Sequence, residues 1–369
     1  NNTPDPLGIV EPEWENDLLA SRNDYFVYAQ PVITDTSVII RHKNIIYSYS
    51  IINGNLRWKN EMGGRAVWQD WFQRQYPLED MVVQDGVVVT PIFKGGSSLI
   101  ALDEITGQIK WSYGPMSASE GDESLMRFEC APTGGPGTIY ANYTLDNIKG
   151  DTHIDSEYGV IAFESNTGRV KWRRQVCRLQ PGKFDGSFGA ARRNRIRSFF
   201  SPPLYHEGTV YVNSNAGAVA AMDSLSGRIK WLMRYPYFKS VHDLTRQFGE
   251  LSPIHGGVLY VIPHNPSFWL NQRPLVVGEQ LFITPVNSPF MMALDRKTGK
   301  INWTFVKPTS GFSYFLGPIS TGELVVTANG RSEKRDQHGR GNFPVYLLDP
   351  KTGKEVWTSP DYIMKDTQP

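Results

Sequence analysis

The sequence predicts an all-β fold, a single β-propeller of four-stranded blades, on three observations. One short pattern recurs six times, and every copy ends on tryptophan. Five copies read acid-x-x-Thr/Ser-Gly-x-x-x-Trp and end at Trp111, Trp172, Trp231, Trp303 and Trp357. A degenerate first copy, Y-S-I-I-N-G-N-L-R-W, ends at Trp58. The Trp spacings are 53, 61, 59, 72 and 54 residues, about one four-stranded blade per copy. Ahead of most copies stands a second signature, a proline-led apolar run with Gly and then β-branched residues, beginning at Pro31, Pro203, Pro274 and Pro318.

Each part of the unit has a physical reading. The proline-led run supplies the first two strands, since proline at a strand start costs little. The apolar run before the acid, such as L-I-A-L or A-V-A-A-M, is the third strand. Acid-x-x-Thr/Ser-Gly is turn chemistry. The side chains of Asp103, Asp223, Asp295 and Asp349 can accept backbone amides, and Gly takes the positive φ that a tight hairpin needs. The fourth strand alternates, as in Ile229 and Trp231, and presents the indole as a large apolar plug. One hairpin cannot bury that ring alone, so neighbouring units must pack face to face.

Two places break the pattern. Pro253 opens S-P-I-H-G-G-V-L-Y-V-I-P, which resembles a pair of first strands, yet no turn and Trp follow before Pro274. Leu251 to Pro263 is then either an inserted hairpin or an incomplete seventh blade, so six to eight blades are open. The chain also runs only 12 residues past Trp357, so a closing strand must come from the N-terminus, the tail or a longer parent protein. Residues 1–29 lack the repeat and read as an N-terminal extension, with N-T-P-D-P-L-G turn-like. The propeller domain is expected over 30–369. No Met or signal sequence opens the chain, so Asn1 is expected to be a processed or engineered end.

The pattern A-x-D-x-x-T-G-x-x-x-W resembles the repeat of the PQQ-like propeller superfamily, which includes quinoprotein alcohol dehydrogenases and BamB-type assembly factors. The resemblance covers about Gln30 to Trp357. S-P-P-L-Y-H-E-G-T-V-Y-V-N-S-N-A-G-A-V-A-A-M-D is similar to the long PQQ-like repeat proteins common in planctomycetes. The resemblance implies an extracytoplasmic setting and, for its enzymatic members, PQQ held by a vicinal cysteine pair, a stacking Trp and a calcium ion. Here Cys130 and Cys177 are separated by 46 residues, so PQQ is not expected. The repeat Trp and Asp residues are expected to be structural.

Other chemistry is sparse. The 38 basic and 37 acidic residues nearly cancel, so no global field argues for nucleic acid, and no apolar run reaches the ~18 residues of a membrane span. No haem-attachment, zinc, phosphate-loop or nucleophile-elbow motif occurs. Cys130, assigned to a first strand of the third blade, and Cys177 leave a disulfide and two buried thiols equally open. Asp146, Asn147, Asp151 and Asp155 are expected in a loop; a structural calcium site there is weighed against a solvated insert.

The inserts carry more signal. Arg173 to Arg197 holds eight basic residues and one acid, ending with Arg192, Arg193, Arg195 and Arg197. Arg65 to Tyr76 carries Trp68, Trp71 and Tyr76. Arg331 to Arg340 adds a further charged run. Long loops on a repeat scaffold commonly bind, and Arg, Trp and Tyr are enriched at interfaces. The expectation is a non-catalytic scaffold or accessory subunit contacting protein partners, with homo-oligomers open. A degenerate PQQ-dependent dehydrogenase and a BamB-like assembly factor are the alternatives.

Overall fold

A computed structural model describes residue 14 and residues 31–42, 45–62, 81–93, 97–114, 124–128, 130–149, 152–179, 201–235, 272–285, 288, 290–306, 312–329 and 345–359. These residues form six antiparallel sheets, each strand pairing mainly with its neighbour in the chain. Blade 1 comprises β1 (Val32–Ile33), β2 (Ser37–His42), β3 (Ile45–Ser50) and β4 (Leu56–Glu61). Blade 2 comprises β5 (Val82–Gln84), β6 (Val87–Phe93), β7 (Ser97–Asp103) and β8 (Ile109–Tyr113). Blade 3 has five strands: β9 (Ser124–Arg127), β10 (Thr133–Gly135), β11 (Thr138–Lys149), β12 (Thr152–Glu164) and β13 (Val170–Leu179). Blade 4 runs β14 (Leu204–His206), β15 (Thr209–Asn213), β16 (Ala218–Asp223) and β17 (Ile229–Arg234). Blade 5 runs β18 (Leu275–Val277), β19 (Gln280–Ile283), β20 (Phe290–Asp295) and β21 (Ile301–Val306). Blade 6 runs β22 (Phe312–Pro318), β23 (Leu324–Asn329), β24 (Val345–Leu348) and β25 (Glu355–Thr358).

The third strand of a blade carries an apolar run before the acid because neighbouring blades cover both its faces there. In β16, Ala218 to Met222 are all buried. The fourth strand, at the outer edge, alternates instead: in β17 only Trp231 is fully buried. The repeat alanine also gains a reason. Ala101, Ala162, Ala221 and Ala293 sit directly across the ladder from Trp111, Trp172, Trp231 and Trp303, and a small side chain there leaves room for the indole. Ser48 and Leu347 take that place opposite Trp58 and Trp357. A bulge follows each of these six pairs and turns the chain into the hairpin.

Within the turn, Asp295 Oδ1 accepts the amides of Lys297 and Thr298 at 3.1 and 2.8 Å and the Thr298 hydroxyl at 2.8 Å. Asp103, Asp223 and Asp349 repeat this arrangement. The Gly amide closes the turn on the acid's carbonyl, as Gly299 does on Asp295 at 2.8 Å. In blade 3, Glu164 stands in for Asp and accepts from the Thr167 hydroxyl.

The rings of Trp58, Trp111, Trp172, Trp231 and Trp303 each leave their own blade and lie on the turn of the next. Trp58 Nε1 donates to Glu104 O at 2.8 Å, Trp111 to Ser165 O at 2.8 Å and Trp172 to Ser224 O at 3.0 Å. Trp231 donates to Arg296 O at 2.9 Å and Trp303 to Pro350 O at 3.0 Å. The acceptor is always the carbonyl just after the acid. The ring covers the turn glycine so closely that a Cβ on Gly107, Gly168, Gly227, Gly299 or Gly353 would fall no more than 2.6 Å from a ring carbon. Glycine is therefore required twice over, by its positive φ and by the indole above it. The five apolar clusters of the core lie one between each consecutive pair of blades.

Several expectations need correction. Trp231 of blade 4 docks directly on blade 5, so these two blades are neighbours, while Leu251 to Pro263 lies outside the described residues. Pro318 closes β22 rather than opening a strand. Cys130 sits in a bend before β10, not on a strand. Asp146 and Asp155 belong to β11 and β12, which pair across their length as one hairpin, so they are not in a loop. Arg173, Arg174 and Arg178 lie on β13, not in an insert.

Candidate functional site

The alternation of antiparallel strands gives the molecule two unlike ends. First-to-second and third-to-fourth connections fall at one end, and every one described there is a tight turn. Second-to-third connections and the links between blades fall at the opposite end. The strand ends that flank the undescribed segments 63–80, 115–123, 180–200, 236–271 and 330–344 lie there. That end also receives the extended part of the β11–β12 hairpin.

At the axis, the first strands of blades 1, 2 and 3 converge on a cavity of about 380 Å³ lined by Pro31–Ile33, Met81–Gln84, Thr133, Gly134 and Arg273. Arg273 precedes β18, yet its guanidinium donates to Pro203 O at 2.6 Å and Pro132 O at 3.3 Å, tying the entries to blades 5, 4 and 3 together. The polar side chains of the lining are Gln84, Thr133 and Arg273. Calcium needs several hard oxygen ligands, commonly carboxylates. Among the described lining residues there is no carboxylate and no cysteine, so this set does not fit the quinone and calcium ion that the repeat's resemblance implies.

Among the described residues, a dense polar grouping lies on the extended hairpin of blade 3. The buried Tyr143 hydroxyl donates to Glu157 Oε1 at 2.5 Å. Arg173 donates to the same oxygen at 2.6 Å and lies 4.4 Å over the Tyr143 ring, while Arg178 reaches Glu157 Oε2 at 3.2 Å. Burial works against the charge of Glu157, but these donors outweigh it and hold the carboxyl below its ordinary range. Burial, reinforced by the bond to Glu157, raises the Tyr143 phenol well above its ordinary value. On the other side, the Asp146 carboxylate pairs with Arg127 and accepts the Ser156 hydroxyl at 2.6 Å, which fastens β9 to the hairpin. Glu157 thus stays anionic and Tyr143 and Arg173 stay protonated. Such a set fixes a shape and is not poised to transfer protons.

Trp58, Trp111, Trp172, Trp231 and Trp303 lie between blades, and Asp103, Asp223, Asp295 and Asp349 lie in turns at the tight-turn end. Trp357 differs, being 47% exposed. Arg192, Arg193, Arg195, Arg197, Trp68, Trp71 and Tyr76 lie outside the described residues, as do His255, His264, Asp151 and Arg331 to Arg340. Their segments leave and re-enter the blades at the loop end. Cys130 and Cys177 both face the apolar cluster between blades 3 and 4, as thiols and not as a disulfide. Burial pushes the Cys177 thiol up to about 11, offset in part by a hydrogen bond with Ser214. Among the described residues no group of three or more His, Cys, Asp or Glu is arranged to hold a metal, and no helix is long and apolar enough to cross a membrane.

Sequence reading missed Trp14. Its Nε1 donates to Ile51 O at 3.1 Å and its ring covers Gly54, so it meets blade 1 as each repeat Trp meets the next blade. A Trp without an acid-x-x-Thr-Gly before it gave no signal. The match between its place and the Trp of a fourth strand appears only in three dimensions.

Compared with known proteins, residues 13–305 match the family described as outer membrane protein assembly factor BamB. The chain is 22% identical to the quinoprotein ethanol dehydrogenase of Pseudomonas putida over 231 residues, 59% of this chain and 32% of that protein. It is 23% identical to the assembly factor BamB of Moranella endobia (strain PCIT) over 223 residues, 60% of this chain and 44% of that one. The chain therefore spans less than half the length of these curated relatives. Among solved structures, BamB from Moraxella catarrhalis superposes with a TM-score of 0.50 at 12% identity, covering 90% of this chain and 73% of that one. The quinohemoprotein alcohol dehydrogenase from Comamonas testosteroni gives 0.52 at 13% identity, covering 89% and 58%. At such identities the likeness is one of fold.

Proposed function

The chain belongs to the family of the outer membrane protein assembly factor BamB, and from that premise we propose that it works as a non-catalytic propeller subunit. In this reading it organises protein partners outside the cytoplasm. The observation that carries the reading is the inequality of the two ends. One is closed by tight turns; the other gathers the long connections and the braced blade 3 hairpin. A row of packed blades with long connections on one end is the arrangement repeat scaffolds use to bind partners. Arg192, Arg193, Arg195, Arg197, Trp68, Trp71 and Tyr76 belong to connections that open on this end, and they are the residues proposed to make the contact. Arginine suits an acidic partner surface through bidentate bonds to carboxylates.

The enzymatic reading draws on relatives named as dehydrogenases. The polar side chains of the axial lining, Gln84, Thr133 and Arg273, favour the scaffold instead, since none is a general base at neutral pH. Two measurements test the proposal. Added PQQ and calcium should give no stoichiometric binding and no dye-linked alcohol oxidation; tight PQQ binding would overturn it. Reversing Arg192, Arg193, Arg195 and Arg197 to Glu should keep the melting temperature but reduce co-purification with the native assembly. The wild-type contact should weaken with salt, as expected where charges meet within a Debye length of about 8 Å. Normal recovery of the assembly by the folded quadruple variant would remove this segment from the interface.

A further inference from the structure

The fourth strand is the outer edge of its blade, and one position on it recurs in every copy. The bulge beside each Trp leaves the preceding residue without a partner across the ladder: Arg57, Lys110, Lys171, Lys230, Asn302 and Val356. In blades 1 to 4 this residue is a cation turned back on its own blade. Arg57, Lys171 and Lys230 donate to the hydroxyls of Ser37, Thr138 and Thr209 at 2.7 Å, and Lys110 pairs with Asp103 at 3.5 Å. Charge at such a place keeps an edge strand from pairing with another chain. Blade 5 instead carries a neutral amide, Asn302, with Thr304 two residues later.

Asn-x-Thr is the sequence that Asn-glycosylating transferases read. The chain holds it three times, at Asn1, Asn142 and Asn302. Asn1 lies outside the described residues. Asn142, Tyr143 and Thr144 are each 1% exposed, and Asn142 Nδ2 already donates to Ser201 O at 2.7 Å. A sugar there would part blades 3 and 4. At Asn302 the fold does the reverse. Trp303 is drawn inward to Pro350 O at 3.0 Å, while Asn302 and Thr304 on either side of it are exposed. We infer that Asn302 is an N-glycosylation site, that Thr304 supplies the hydroxyl the transferase reads, and that the fold selects it over Asn142. The donor is a polyprenyl-pyrophosphate oligosaccharide. Asn302 Nδ2 bonds to the anomeric carbon, the bond from that carbon to the pyrophosphate oxygen breaks, and the lipid pyrophosphate leaves. The amide proton passes to a base of the transferase. The inference rests on the extracytoplasmic reading above, since the modification belongs to secreted surfaces. The glycan stands at the outer rim of blade 5, where a cation stands in blades 1 to 4, and leaves both ends of the blades free.

A purified transferase that reads Asn-x-Thr alone, supplied with a polyprenyl-pyrophosphate oligosaccharide, tests the site without reference to location. On the folded chain, tandem mass spectrometry should find sugar on Asn302 and none on Asn142. Asn302→Gln and Thr304→Ala should each abolish the signal at 302 while the melting temperature stays unchanged. As free peptides, residues 139–147 and 299–307 should both be accepted, which assigns the difference between them to the fold. A bare Asn302 on the folded chain, equal modification of Asn142, or refusal of either peptide overturns the inference. Chain isolated from its source cells should carry a glycan at Asn302 that peptide N-glycosidase releases, converting the asparagine to aspartate. A site accepted by the purified enzyme but bare in cells also overturns the inference, through the location it rests on and not through the geometry of blade 5.

Discussion

The indole of Trp231 does two jobs with one side chain, filling the space between blades 4 and 5 and satisfying the Arg296 carbonyl. Trp231→Ala removes both, and thermal or urea unfolding should show a loss of about 3–5 kcal/mol, the usual cost of deleting a buried aromatic. Asp295→Ala removes the acceptor of two amides and a hydroxyl in an exposed turn, so the loss should be about 0.5–2 kcal/mol, as for a lost helix cap. Gly299→Val should be worse than Asp295→Ala, because the new side chain meets the Trp231 ring and strains a backbone at φ +74°. An unchanged melting temperature in the Trp231 or Gly299 variant would contradict the packing. The turn acids also set a pH dependence. Hydrogen bonds from Thr106, Ser226, Thr298 and Thr352 hold Asp103, Asp223, Asp295 and Asp349 below their ordinary value of 3.8. A depressed folded value means the stabilisation is present above pH 3.8 and is lost as pH falls through the folded values. The melting temperature should therefore drop on acidification below about pH 4, and less steeply in Asp295→Asn.

At the scale of elements, the repeat was legible because its demands are local. A turn needs its acid, its hydroxyl and its glycine within five residues, and an indole needs a small partner across the ladder, so Asp295, Thr298, Gly299, Ala293 and Trp303 write the hairpin into the sequence. The blade 3 hairpin was not legible, since Tyr143, Glu157 and Arg173 are brought together by strand register across 30 residues. Asp146 and Asp155, which read as loop acids, are spent on Arg127 and Arg178. The candidate contact residues could be picked by type and charge alone, because their segments follow no period. Glu157→Gln weakens three charged or hydroxyl contacts at once. Hydrogen exchange should quicken along 143–149 and 152–158 while 209–223 of blade 4 keeps its protection. Equal quickening in both would show that the cluster supports the whole propeller and not the hairpin.

At the scale of the whole molecule, every interface between blades is of one kind and points one way: ring of one blade, turn of the next. A blade is therefore finished by its successor. On a ribosome this order has a timing. Trp58 emerges 49 residues before Gly107, and Trp231 emerges 68 residues before Gly299. At a synthesis rate of ~5–20 residues per second, each newly made indole stays bare for roughly 2–14 seconds before its cover exists. The nascent chain always carries one sticky aromatic at its growing end, and the longest wait falls between blades 4 and 5. That is where a chaperone that reads exposed aromatics would find the chain most often.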